Sequence, residues 1–285
     1  MSRIGSSLSG IDRTLQASLQ RAYADLQDSG LRLATLKRVN RGSDDPAGLI
    51  AIGQIEAELV ALEQADENAA RAQSIVNVAD SALGQIGGLL NDIRGHVVAA
   101  SGDTLSDAER AAHQLEVDAA LDAVNRIGAS TNLGGRNLLD GSASELTFLL
   151  SSDPANTVSL SLPHVATSQL GDAEGKLDDF RSGGKFELRG ANLQTAIASL
   201  SSASSQISQA RGRAGAFARY TLESSRNVVQ SAQVNLTDAV SRIRDTDVAA
   251  ETARHIQARI RGNAALSSVI LSGRSKSLLS RLLED

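Results

Sequence analysis

Cysteine and tryptophan are absent from this chain, and only four Phe and two Tyr stand among its 285 residues. Without cysteine, neither a disulfide framework nor a thiolate metal site can form. Compact cores lean on large rings, so a chain with so few of them must close its interior with Leu, Ile, Val and Ala, as helix bundles do. Met1 to Gly10 hold no basic segment followed by an apolar run, so no cleaved Sec signal is expected. No stretch approaches about eighteen uninterrupted apolar residues, so no membrane span is expected either. The chain should be cytosolic, or leave by a route that needs no cleaved signal. The motifs of common enzymes are missing too: no Ser in a G-x-S-x-G context, no Walker loop, and no G-x-G-x-x-G after a strand. His96, His113, His164 and His255 lie in different segments and form no HxxxH or HxH pair, so no zinc site is expected and His96 reads as a solvated residue. Catalytic residues, cofactors and metals are all expected to be absent.

What is present is helical periodicity. Ile52, Ile55, Leu59, Leu62, Ala69, Ala72, Val76, Ala79, Leu83, Ile86, Leu90, Ile93 and Val97 step by threes and fours, as a coiled-coil seam requires. Val229, Ala232, Leu236, Val240 and Ile243 repeat the spacing late in the chain, and this returning helix is expected to meet the seam. The fold class is therefore mainly α: an elongated antiparallel coiled-coil or helix-bundle rod.

Boundaries follow from local chemistry. A first helix reads from Ile4 through Leu8, Ile11, Leu15, Leu19, Tyr23 and Leu26, interrupted near Ser29 and Gly30 and resuming through Leu33 and Val39. Asp44 or Asp45 can cap a second helix whose first position suits Pro46. It should run to about Ser101, a span of roughly 80 Å at 1.5 Å per residue. Ser106 and Glu109 make a capping box for a third helix ending at Gly128. Asn132, Gly134 and Gly135 are turn residues, and 145–150 with 157–162 read as a small β-hairpin insert. Ser168 to Gly184 reads as a surface loop, and Phe186 to Leu188 as a further short strand. Helical spacing then returns from Leu193 to about Arg254 or beyond, with Gly212 and Gly215 as weak points. Arg211, Arg213 and Arg219 beside those glycines could suggest a phosphate cradle, but within a helix close packing is the better explanation.

Charge is unevenly placed. The net charge is -5, residues 1–41 carry seven Lys or Arg against three Asp, and residues 254–285 carry six against two acids. Each end is thus +4 and the middle -13. Opposite-sign blocks favour head-to-tail contacts between copies, although solvated helix faces are the plainer explanation.

Three segments resemble bacterial flagellins. Arg32 to Gly48 (RLATLKRVNRGSDDPAG) is similar to the family's R-L-S-T-G-x-R-I-N-x-A-x-D-D-P-A-G, Ser241 to Asp247 (SRIRDTD) to its S-R-I-x-D-x-D, and Asn137 to Gly141 (NLLDG) to the segment closing its first hairpin. The match covers roughly 1–141 and 190–260. Departures are Leu36 where the family usually has Gly, Ala214 where Leu is frequent, Phe217-Ala218 where polar residues are common, and a basic C-terminal segment in place of a neutral Gln/Asn-rich run containing Pro.

The resemblance implies a structural subunit of the extracellular flagellar filament for swimming motility, self-assembling and exported unfolded through the flagellar type III apparatus. It further implies an export chaperone at the C-terminal helix, hook-associated junction and cap proteins, and possibly other flagellins as partners. The expected domains are 1–41 with 250–285 as a terminal D0-like coiled coil, 42–141 with 190–249 as a D1-like helical rod, and 142–189 as a short hairpin and exposed variable loop. Ile4, Leu8, Ile11, Leu15, Leu19, Ile256, Ile260, Leu278 and Leu282 are the expected D0 assembly stripe. Arg38, Asn40, Asp44, Asp45, Pro46, Arg242, Asp245 and Asp247 form the expected D0–D1 junction motif. If the basic C-terminal segment lines a channel, Arg259 and Arg261 need acids of adjacent subunits, with Asp12, Asp25 and Asp28 as candidates. Asp92, His96 and Glu116 match the face read by the innate immune Toll-like receptor; the first two replace its usual Arg and Leu contacts, so weak recognition is expected.

Alternatives within the same apparatus are a hook-filament junction protein or a minor specialised flagellin. Outside the family, a coiled-coil adaptor could bind anionic membrane or nucleic acid through its basic ends. Sedimentation of filaments after salting out, against salt-dependent binding to DNA or liposomes, separates these readings.

Overall fold

The computed structural model describes residues 2–102, 105–143, 145–153, 155–188 and 193–284; the side chains of 2–11, 193, 276 and 278–284 lie outside that description. Helices α1 (Ser2–Thr35), α2 (Pro46–Ala100), α3 (Asp107–Ser130), α4 (Leu193–Ala216), α5 (Glu223–Arg244) and α6 (Val248–Glu284) carry most of the chain. Two antiparallel strand pairs, β1 (Asn132–Leu133) with β2 (Arg136–Asn137) and β3 (Leu146–Leu149) with β4 (Thr157–Leu160), stand between α3 and α4. The contacts divide the chain into two units, Met1–Leu59 with Val234–Asp285, and Val60–Gln233. These bounds fall further along α2 and earlier in α5 than the expected ones, and the 142–189 insert belongs to the second unit.

In the second unit, the later part of α2 supplies the spine. Leu83, Ile86, Leu90 and Ile93 are completely buried, each contributing roughly 1.5–3 kcal/mol on burial. Their partners are Val117, Leu121 and Val124 of α3, the insert, and Ala196 to Leu222. This corrects the expectation that α5 meets most of the seam. Helix α5 instead takes the earlier stretch of α2, where Arg226 grips Asp66 at 2.9 Å and Arg244 reaches Glu56 at 2.8 Å. The reason is volume: the insert and α4 bring Phe and Leu to the later stretch, which α5 cannot match.

The capping box of α3 forms as expected, with Ser106 Oγ accepting from the Glu109 amide and the Glu109 carboxylate accepting from Ser106. Arg110 donates to the Ala100 and Gly102 carbonyls at 2.7 and 2.9 Å, satisfying the end of α2. Helix α3 runs past Gly128 to Ser130, because Gly128 is a contact residue: a Cβ there would lie 2.8 Å from Val165. Gly134 and Gly135 both have positive φ and close the β1–β2 hairpin in two residues.

The segment 168–184 is not a surface loop. Leu170, Leu177, Phe180 and Phe186 are buried, the two rings 5.2 Å apart, and 177–180 is a 3-10 turn. Buried Gln114 of α3 pins it, donating to Phe180 O at 2.7 Å and accepting from the Leu188 amide at 3.0 Å. Asn125 and Thr167 add a reciprocal pair at 2.9 and 3.0 Å. The strand expected at Phe186 to Leu188 is absent, since Phe186 N bonds Asp179 O in a turn instead.

Helix α4 passes through a π turn, Phe217–Leu222, into α5. Gly212 and Gly215 do not pack closely; a Cβ at either would meet no atom within 4 Å. Of the arginines beside them, Arg211 is paired with Asp80 at 2.8 Å and Arg219 lies over the Tyr220 ring. The departures at 214 and 217 have a use: Ala214 is completely buried, and the Phe217 ring stands 6.1 Å from Phe148 of β3.

In the first unit, α1 and α6 pair antiparallel. Asp12 meets Ser272, Ala22 faces Gly262, Ser29 meets His255 and Arg32 approaches Glu251. Helix α1 is not interrupted at Ser29-Gly30. The His255 ring crosses there: Ser29 Oγ lies 2.9 Å from its Nδ1, and a Cβ at Gly30 would make an ordinary contact with its Cε1 at 3.8 Å. The late helix does not continue unbroken to Arg254 either; it stops at Arg244 and restarts at Val248.

Candidate assembly surfaces

Helix α1 ends in a left-handed residue, Leu36, at φ 57. The turn that follows lies beside the break between α5 and α6. Lys37 and Asp245 form a β-bridge, Arg38 N donates to Arg244 O at 2.6 Å, and Thr246 N donates to Leu36 O at 3.1 Å. Asn40 donates its side-chain amide to Lys37 O at 2.8 Å. Asp44 accepts from the Asn40 and Arg41 amides at 2.9 Å each, and these two bonds hold its carboxyl below the usual carboxylate range. Asp45, not Asp44, caps α2: its Oδ1 accepts from Gly48 N at 2.8 Å, with Pro46 at the first helical position. Gly48 is buried, and a Cβ there would collide with the Asp45 carboxylate at 2.5 Å. Asp245 accepts from Ser241 Oγ at 2.6 Å, and Asp247 caps α6 through the Ala249 and Ala250 amides.

Seven of the eight junction residues therefore take part in one structure. Arg242 does not; it is exposed and pairs with Asp238 along its own helix at 2.8 Å.

Helix α6 has two unlike faces. Glu251, His255, Ala258, Gly262, Ala265, Val269 and Ser272 step by fours and threes and are buried or half-buried against α1. On the opposite side Ile256, Ile260 and Leu271 are exposed, Ile260 at 62% and Leu271 at 66%, and Leu266 and Ile270 are exposed on the flank between the two faces. The expected assembly stripe is thus split. Leu15 and Leu19 are half-buried on the side of α1 that carries Ala22 and Ser29, whereas Ile256 and Ile260 point away from α1. Ile4, Leu8, Ile11, Leu278 and Leu282 lie outside the described side chains.

Asp25, Asp28, Arg32, Glu251, Arg254 and Arg261 line a groove of about 280 Å³ within this one unit. Glu251 is buried and is held by Arg254 at 3.1 Å and Arg32 at 3.8 Å. Three of the five candidates for charge pairing between subunits, Asp25, Asp28 and Arg261, therefore already share a groove in one chain. Asp12 accepts from Ser272 Oγ at 2.6 Å, and Arg259 is exposed.

In the second unit, Asp140 closes the Asn137 to Gly141 turn. It accepts from Ser142 Oγ at 2.6 Å, Ser142 N at 2.9 Å and Asn137 Nδ2 at 2.9 Å, which brings its carboxyl down to about 2. Asp92 and Glu116 are exposed, whereas His96 is half-buried against His113.

Two family descriptions fit this chain: the bacterial flagellin N-terminal helical region matches residues 9–144, and the bacterial flagellin C-terminal helical region matches 194–280. The chain belongs to the bacterial flagellin family. It is 35% identical to the B-type flagellin of Pseudomonas aeruginosa over 156 residues, covering 55% of this chain and 32% of that protein. It is 33% identical to flagellin A of Vibrio cholerae over 172 residues, 60% of this chain and 43% of that one. Against the crystal structure of Bacillus cereus flagellin, 61% of this chain and 94% of that chain superpose with a TM-score of 0.47 and 23% identity. The chain spans less than half the length of these curated relatives. The two matched regions each include one side of the bridged turn after α1: Arg38 to Pro46 falls in the N-terminal match and Asp245 to Asp247 in the C-terminal one.

Sequence reasoning missed the contact of His96 with His113, because the pair is made between helices and carries no spacing signal. It also missed the polar seam of Ser29, His255 and Glu251. A signal existed for that one, since these residues stand at seam positions of their helices.

Proposed function

We propose that this flagellin-family chain is a structural subunit that polymerises into the extracellular bacterial flagellar filament and has no catalytic role. The observation that carries this reading is the two-faced α6: its small and polar side pairs with α1, and the large apolar residues on its far side, Ile256, Ile260 and Leu271, are left in solvent. Exposed Ile and Leu at helical spacing on a helix already paired are the mark of a surface buried by another copy. In this proposal the α1–α6 pair acts as the D0-like part, the Arg38–Pro46 and Asp245–Asp247 turns as the D0–D1 junction, and the remaining helices as the D1-like rod. Leu15 and Leu19 hold the pair together, Ile256 and Ile260 face neighbouring copies, and Arg259 is the remaining candidate for a charge contact between subunits. Export through the flagellar type III apparatus, a chaperone for the C-terminal helix, and the junction and cap proteins complete the partner set, with other flagellins as copolymers.

The experiment is salt-induced polymerisation of the purified full chain, followed by sedimentation and electron microscopy. Filaments are expected, and Ile260→Asp should abolish them while leaving the melting of the monomer unchanged, because Ile260 is already exposed there. Arg259→Glu should lower their salt resistance. A chain that stays soluble and instead binds DNA or liposomes would overturn the reading. Recognition by the innate immune receptor is proposed to be weak, since Asp92 and His96 replace its usual contacts and His96 is engaged by His113; a strong reporter-cell response to monomer would refute it.

A further inference from the structure

Among the described residues, no three His, Asp or Glu converge in a way that could hold a metal ion. Two histidines nonetheless converge from different helices. His96 of α2 and His113 of α3 are half-buried and bring their Nδ1 atoms to 3.1 Å, with ring centroids 5.4 Å apart and planes inclined by 50°. Two neutral imidazoles meet this way when one Nδ1 carries its proton and the other accepts it. A ring nitrogen freed of that proton is the ligand that divalent transition metals prefer.

The spacing is the deciding quantity. A metal at about 2.0–2.1 Å from each nitrogen requires the two nitrogens to be about 2.9 Å apart at a right angle and about 3.4 Å apart at the tetrahedral angle. The observed 3.1 Å lies between these limits, so a cation can take the place of the shared proton, which moves to Nε2 of its own ring, without moving either helix. The support is rigid. His96 and His113 both stand inside helices, and the Arg110 guanidinium ties the two helices together by donating to Ala100 O and Gly102 O. The carboxylate of Glu109 is taken up by Ser106 and supplies no third ligand.

We propose that His96 and His113 form a bidentate bis-imidazole site for a borderline divalent transition metal, which clamps α2 to α3. Nitrogen donors favour copper over nickel and nickel over cobalt, with zinc bound less tightly than copper, and they discriminate against magnesium and calcium, which take oxygen. Water completes the coordination, so the site is weaker than a four-ligand structural zinc site. The proposal concerns the second unit alone and does not depend on polymerisation.

The test uses the untagged full chain as monomer. Calorimetric titration with nickel, zinc or copper chloride should show one saturable metal per chain, and magnesium chloride should show none. His96→Gln and His113→Gln should each lose at least about tenfold in affinity, as removal of one of two ligands demands, while His164→Gln should not. In the unaltered chain, zinc should shift the imidazole Nδ1 resonances of His96 and His113 and leave those of His164 and His255 in place. This second readout requires no variant to fold. Absence of saturable binding, affinity unchanged in either variant, or shifts confined to other histidines would each overturn the proposal.

Discussion

The two units of this chain bury different kinds of residue. All four phenylalanines lie in the second unit, at 148, 180, 186 and 217, and its interior is one continuous cluster from Ala69 to Leu222. The first unit also buries Val39, Ile52 and Val240, but where α1 meets α6 it buries Ala22, Ser29, Glu251 and Ala258, and it leaves Ile256, Ile260, Leu266 and Ile270 outside. Large apolar side chains inside favour a unit that holds by itself, whereas a helix pair with small and polar residues inside and large ones outside gains stability from what it joins. In the proposed reading, one chain thus combines a self-sufficient part with a helix pair that depends on assembly.

The sharpest way to break this contrast is in the self-sufficient core. Leu90→Ala removes a completely buried side chain and should cost about 2–5 kcal/mol, read as a lowered melting temperature of the monomer. Ile260→Asp should do the reverse, leaving the monomer alone and removing the polymer. A smaller effect, of opposite sign, is expected at Leu36. Its left-handed backbone strains any residue with a Cβ, and its side chain is 57% exposed, so little burial is lost on removal. Leu36→Gly should therefore stabilise the first unit by about 0.5–1 kcal/mol, seen as a raised melting point of its helices.

The smallest effect is local and depends on pH. The Asp140 carboxyl is lowered from 3.8 to about 2 by the bonds from Ser142 and Asn137. A depressed folded-state value means that its contribution is present above the unfolded value and is lost as pH falls through the folded one. The protection of the Ser142 amide against exchange, relative to an unstructured amide at the same pH, should therefore fall between about pH 4 and pH 2. In Asp140→Asn, which lacks the charge at every pH, that acid-induced change should be missing.

Much of this was legible because it is local. The cap and Pro46 start of α2, the Ser106–Glu109 box, the turn at Gly134 and Gly135, the β3–β4 hairpin and the buried spine from Ile86 to Val97 all depend on residues near one another in the chain. The two junction strands were legible as family motifs, though not as one structure, since the bonds between Leu36, Arg38, Arg244 and Thr246 join distant parts of the chain. What could not be read was partner choice. Asp172 and Asp179, with their glycines, make 168–184 look like solvent-facing turns. Yet two of the four phenylalanines border or lie within that segment, and in a chain so poor in rings this was a usable sign of burial. The split of α6 was hidden for another reason: apolar residues occur on both of its sides, so the spacing alone does not say which side meets α1. Asp247 is a helix cap inside the SRIRDTD segment, and the break before it leaves no mark on the periodicity, because the apolar spacing on either side resembles one continuous helix.

The π turn at Phe217–Leu222 carries a consequence of a different order. Its Glu223 amide bonds Ala218 O, five residues back, so this turn holds one residue more than an α-turn and rotates everything after it by about 100° relative to an unbroken helix. Val229 and Val240 are buried in that rotated phase. Deleting one residue between 217 and 222 should let the turn close as an ordinary α-turn and leave α5 on its present bearing, because the surplus residue is then gone. At this point the chain holds one residue that its helices do not need for their direction.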